Sequence, residues 1–231
     1  MALAGSAALA MWWDIAADVR ADFEHWHAHE HFPERLAIPG FLRASRWRDA
    51  DGGEGTFVLY ELSGHDVLRS PAYLARLNAP SPWSTKLMPH HRHMIRSQCH
   101  VLESHGGVTA RCSLTVRLSP AAGREESLRL ALRKWFETAA SQPGIAGLHL
   151  LRHEQPPIAA TAEQRLRGLA DGAADWVLIV NGYDRGAVAE MGEAALAEEP
   201  LVALGAAPGV DRRLFELAYA AIPADVSGIT A

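Results

Sequence analysis

An α+β fold made of two tandem βαββαβ units is what the sequence predicts, on three observations: like segments recur at fixed offsets, both halves carry an amphipathic helix after their first strand, and both repeat a Pro-Gly turn after that helix. Strand-like LAMWWDI (9–15) stands 103 residues before CSLTVRL (112–118), and Pro39-Gly40 stands 104 before Pro143-Gly144. FVLYEL (57–62) precedes WVLIVN (176–181) by 119, and HRHMIRSQCHVL (91–102) precedes DRRLFELAYAAI (211–222) by 120. Constant spacing between like segments reports duplicated structure. The rise of 15 or 16 marks one insertion, at 155–173, whose polar, Pro-, Ala- and Gly-bearing composition reads as a long loop with a short helix around Ala162–Leu169.

The helices agree with the strands. Val19, Phe23 and Trp26 lie at i, i+4 and i+7 after a predicted N-cap at Asp18, and Leu128, Leu132 and Trp135 repeat the spacing after Ser127, giving two amphipathic helices with a buried tryptophan each. Ser70-Pro71 reads as an N-cap with proline at N1, opening PAYLARL; RGAVAEMGEAALAEEPLVAL is its counterpart. Each half is therefore β, α, β, β, α, β, a ferredoxin-like unit that covers one sheet face with helices and leaves the other open. Two such units, residues 1–105 and 106–231, bury their open faces together as one barrel-type body with antiparallel sheets and outer helices.

Composition excludes several classes. A chain of 231 residues that is 48% hydrophobic buries a core without staples. With 22 basic against 27 acidic residues it offers no stripe for a phosphate backbone, so no nucleic-acid partner is expected. Cys99 and Cys112 are too few for a disulfide framework and lack zinc-site spacing, which suits a reducing cytoplasm. The apolar opening lacks a positive n-region and reads as a strand, and no run is long enough for a membrane span. There is no glycine-rich phosphate loop, Ser/His/Asp signature or catalytic-cysteine context, which disfavours nucleotide cofactors.

Where the halves diverge, chemistry is expected. One helical turn beyond Trp26 stands Glu30, where the same step from Trp135 gives Ala139; the first half then adds HFPERLAI, with His31, Glu34 and Arg35. A carboxylate on a core-facing stripe is costly unless paired, so Glu30 marks a pocket. His31 becomes the general acid/base, with Glu30 orienting it or sharing its proton. Arg35 holds the loop or a substrate anion, and His27, Trp83 and His93 shape the pocket. The open alternative is that Glu30 and Arg35 form a structural ion pair. No metal site is assigned, because HExxH is absent, although His27, Glu30 and His31 could form a two-histidine, one-carboxylate face for a divalent metal. In the tract His90, His91, His93, alternation puts His91 and His93 on one face, toward the barrel interior or as a haem ligand. Trp12, Trp13, Trp47 and Tyr60 are core or cavity walls.

The motif Trp26, His27, Glu30, His31, Pro33, Glu34, Arg35, Pro39, Gly40, Phe41, together with Tyr60-Glu61-Leu62, Ser70-Pro71-Ala72-Tyr73 and Pro82-Trp83-Ser84, resembles the first-helix region and later segments of EthD-like proteins of the dimeric α/β-barrel superfamily. The resemblance covers most of residues 9–100. It implies a small-molecule enzyme of catabolism or tailoring, in a superfamily that includes lactone isomerases, cofactor-free monooxygenases and haem enzymes, and it implies a homodimer, although a duplicated chain also closes as a monomer. The leading expectation is proton-transfer chemistry (isomerase, dehydratase or cyclase-like lyase) on a hydrophobic carbonyl-bearing or aromatic metabolite, without a cofactor. A cofactor-free or haem-dependent monooxygenase and a non-catalytic ligand-binding or pathway-accessory protein are the alternatives.

Overall fold

Both repeats follow the expected order. The first runs β1 (Ala7–Asp14), α1 (Arg20–Trp26), one π-helical turn (His27–His31), α2 (Phe32–Leu36), β2 (Phe41–Asp49), β3 (Gly55–Leu62), α3 (Pro71–Asn78), α4 (Pro82–Leu87) and β4 (Arg92–Gly106). The second runs β5 (Cys112–Leu118), α5 (Glu125–Ala139), β6 (Ile145–His153), α6 (Ala162–Leu166), β7 (Trp176–Gly182), α7 (Arg185–Glu193), α8 (Glu198–Leu204), β8 (Asp211–Ala221) and a last turn, α9 (Pro223–Val226). The structure, a computed structural model, describes residues 3–107, 109–168 and 171–226.

The eight strands close a barrel in the order β1-β3-β2-β8-β5-β7-β6-β4. Taken around the ring, that is β4-β1-β3-β2 followed by β8-β5-β7-β6, one four-strand pattern used twice. The seams β2–β8 and β4–β6 are antiparallel, like the pairs within each repeat. Each sheet thus buries one face under its own helices and the other against its twin, and the chain closes this barrel by itself. Alternation along β1 shows the two destinations: Leu9, Met11 and Trp13 join the helix-side core, while Ala8, Ala10 and Trp12 join the barrel interior. Strands buried on both faces read as unbroken apolar runs, which accounts for FVLYEL and WVLIVN.

The duplication extends to single bonds. Gly40 and Gly144 have φ of 97° and 89°, and each accepts at its carbonyl from the residue after the repeat's third strand, Ser63 N and Tyr183 N, at 2.9 Å in both cases. A side chain at either glycine would be strained by φ and would meet Val67 or Ala187 at 2.5 Å.

Several local expectations are corrected. Ser70 caps α3 as predicted, its hydroxyl accepting from Tyr73 N, whereas the cap of α1 is Val19 with no side-chain bond, so Asp18 plays no such part. The α5 stripe is Leu128, Leu132 and Phe136; Trp135 is only half-buried, because the buried face is centred on Leu132 and leaves Trp135 at its edge. The expected long helix at 185–204 is two helices, α7 and α8. Among the described residues no helix is long and apolar enough to cross a membrane.

Candidate active site

The first repeat encloses a cavity of about 30 Å³ between its sheet and its helices, on the outer face of the sheet and away from the barrel interior. Its floor is Leu9, Met11 and Trp13 of β1, Tyr60 of β3, and Met94 and Arg96 of β4; its sides are His27, His31, Arg35 and Tyr73 from the helices, with His91 just before β4. Glu163 and Arg167 close it, and both come from the insertion of the second repeat.

The π-helical turn decides which first-repeat residues face inward. An α-helix would carry the stripe from Trp26 to Glu30. Bonding to i+5 inserts one residue, and the inward position passes to His31, whose ring lies 4.5 Å from that of Trp26. Glu30 instead turns sideways, half-buried, and accepts from Trp26 Nε1 (3.0 Å), Ser81 Oγ (2.5 Å) and Ser84 Oγ (3.4 Å). It ties α1 to the start of α4 and does not line the cavity, so the expected Glu30–His31 pairing is absent. The ion pair with Arg35 considered from sequence is absent too, because Arg35 pairs with Glu163.

Two more expected pocket residues lie elsewhere. His93 has φ of 54°, stands at a register break between β1 and β4, and puts a 79% exposed side chain on Asp14 Oδ2 at 2.8 Å. That left-handed bulge reverses the alternation that linked it to His91. Trp83 is partly buried and donates to Asp22 Oδ1 at 3.1 Å, with His25 against its ring. His27, His31 and Arg35 line the cavity. Trp13 and Tyr60 join them there, whereas Trp12 and Trp47 fill the barrel.

The electrostatics are those of a buried site. Burial, then the Arg46 charge, holds His27 well below its ordinary value; burial, then the Arg35 charge, does the same to His31. Burial takes His91 down to about 3. All three rings are therefore neutral at neutral pH. His91 Nδ1 contacts the carbonyls of Leu87 (3.2 Å) and Met88 (3.1 Å); carbonyls only accept, so Nδ1 carries the proton and Nε2 keeps its lone pair. Burial opposes the Arg35 charge most strongly, but the Glu163 carboxylate together with Tyr73 and Tyr60 holds the guanidinium above its usual value.

Among the described residues, five of the fifteen buried polar side-chain atoms without a hydrogen-bond partner line this one cavity: Trp13 Nε1, His27 Nδ1, His31 Nδ1, Arg35 Nη1 and Tyr60 OH. Buried polar atoms are almost always satisfied, so these five are groups left for a ligand or a water to meet. Among the described residues no three His, Cys, Asp or Glu side chains are arranged to hold a metal ion, and Glu30 is turned away from His27 and His31. Of the two histidines expected as haem ligands, His93 is on the surface and His91 lines the cavity.

The insertion forms a strap. Ala162 N donates to Asn78 Oδ1 at 3.1 Å, a capping box between Thr161 and Gln164 holds the five-residue α6, and Gly172 exchanges backbone bonds with β4 at both Met94 and Arg96, 2.8 Å each. A short helix was expected here, although Leu169 lies outside the described residues. Its role over the other repeat's pocket was not expected; the only hint was an insertion in the half that lacks the polar stripe.

The eight-strand ring with helices outside is the deciding observation. The chain has the dimeric α/β-barrel fold. A structure described as an anthrone oxidase-like protein shares it at a TM-score of 0.64 and 8% identity, with 96% of each chain covered. So does a protein of Fusobacterium nucleatum named, provisionally, a monooxygenase, at 0.63 and 8%, covering 95% of this chain and 96% of that one. A provisional chlorite dismutase follows at 0.53 and 12%, with 98% and 100% covered. The sequence matches no protein-family model and no curated protein.

Proposed function

We propose that this dimeric α/β barrel is a cofactor-free oxygenase of small aromatic compounds that carry an acidic C–H next to a carbonyl, working in the first-repeat pocket. One observation carries the reading: five unpartnered buried polar atoms beside three neutral imidazoles in an aromatic-walled cavity. His91 Nε2 is the base that takes the C–H proton. His31 and Trp13 donate to the substrate oxygen as charge builds there. The carbanion then reduces dioxygen; a peroxide forms at that carbon, loses water as the proton returns from His91, and leaves a new carbonyl. The balance is CH₂ plus O₂ to C=O plus H₂O.

The names of the structural neighbours, an anthrone oxidase-like protein and a provisional monooxygenase, support the oxidative version. The same neutral base would also serve isomerase, dehydratase or cyclase-like lyase chemistry, and dioxygen separates the two. With anthrone as the trial substrate and chelator present, the oxygenase consumes one dioxygen per anthrone and yields anthraquinone. A rearranged or dehydrated product without oxygen uptake would replace it with the lyase reading, and binding without turnover would leave a ligand-binding protein.

A further inference from the structure

In its closed form the cavity holds about 30 Å³, far below the roughly 300 Å³ at which small-molecule pockets begin. A wall must move to admit a ring system. The sheet and the helices of the first repeat belong to one packed core, to which the strap adds only the partly buried Leu166; Glu163 reaches the site on the five-residue α6 and Arg167 just after it. The strap is therefore the wall that yields.

Its departure has an electrostatic consequence. Arg35 is 3% exposed and its counter-charge is Glu163. If Glu163 left alone, a guanidinium would remain buried without an anion, which proteins avoid. Arg167 makes no such demand, since Asp171 on the strap itself accompanies it at 2.6 Å. Two of the five unpartnered atoms point the same way: Arg35 Nη1 and Trp13 Nε1 can only donate.

Resting on the reading that this pocket takes the substrate, we propose that its ligand is an aromatic oxyanion, a carboxylate or ionised phenol on a flat ring system, whose negative oxygen takes the place of Glu163 on Arg35. Glu163 is then an internal mimic of the ligand. The strap opens more readily for a molecule that replaces its charge than for a neutral molecule of the same shape.

Naphthoate and its neutral isostere naphthamide test this by quenching of tryptophan fluorescence in the full chain. Glu163→Gln removes the competing charge, so naphthoate should bind about tenfold tighter or better, while naphthamide changes by less than about twofold. Unchanged naphthoate affinity, or equal tightening of both, overturns the proposal. The wild-type chain gives a second readout. Arg165 on α6 is exposed, and saturating naphthoate should speed tryptic cleavage there, whereas protection or no change overturns strap displacement. Neither assay needs turnover, so charge-selective binding without oxygen consumption would sink the oxygenase reading and leave this one standing.

Discussion

Arg35 and Glu163 form a buried ion pair across 128 residues of chain, with side chains 3% and 5% exposed, and so join the pocket of one repeat to the insertion of the other. The duplication gives this pair its position, since an insertion in the second unit lies over the pocket of the first.

Breaking that pair on one side strands a buried charge. Arg35→Leu should lower the unfolding free energy by about 3–5 kcal/mol, and Arg35→Leu with Glu163→Leu should recover most of it. Urea melts of both variants check this; additive losses would mean the two residues do not act as a pair.

Glu30 holds helices and lines no cavity. Glu30→Ala should cost about 1–3 kcal/mol, as Trp26 Nε1 and Ser81 lose their acceptor, and should leave kcat within about threefold. A collapse of kcat with an unchanged melting temperature would return Glu30 to the chemistry.

His91→Gln keeps a donor for the Leu87 carbonyl and removes the imidazole lone pair. Turnover should fall by about 10²–10⁴-fold with the fold intact. Wild-type turnover in this variant removes His91 from the role of base.

Stability should depend on pH in a stated direction. His91 has a folded value of about 3 against 6.5 when unfolded, so its contribution is complete above 6.5. Below 6.5 the unfolded chain binds the proton first, and stability falls by about 1.4 kcal/mol per pH unit from this group as pH drops toward 3. His27 and His31, lowered for the same reason, steepen the fall. Urea melts at stepped pH should show a shallower slope in His91→Gln; an identical slope contradicts a neutral buried His91.

The architecture was legible because duplication leaves offsets: 103 and 104 before the insertion, 119 and 120 after it. Fixed α-helical periodicity was the weak point at the site. A single π turn moved the inward position from Glu30 to His31, and a left-handed φ at His93 reversed a strand alternation. Neither departure changes composition or spacing. Glu163 was invisible for another reason, since contacts between repeats are set by how the barrel closes and leave no periodic trace.

The most direct test of the central claim is a crystal structure with anthraquinone bound. The account predicts the rings between Trp13 and His91, a quinone oxygen within hydrogen-bond reach of Trp13 Nε1 or His31, and the α6 strap displaced. Anthraquinone in the barrel interior, with the first-repeat cavity still closed, would contradict it.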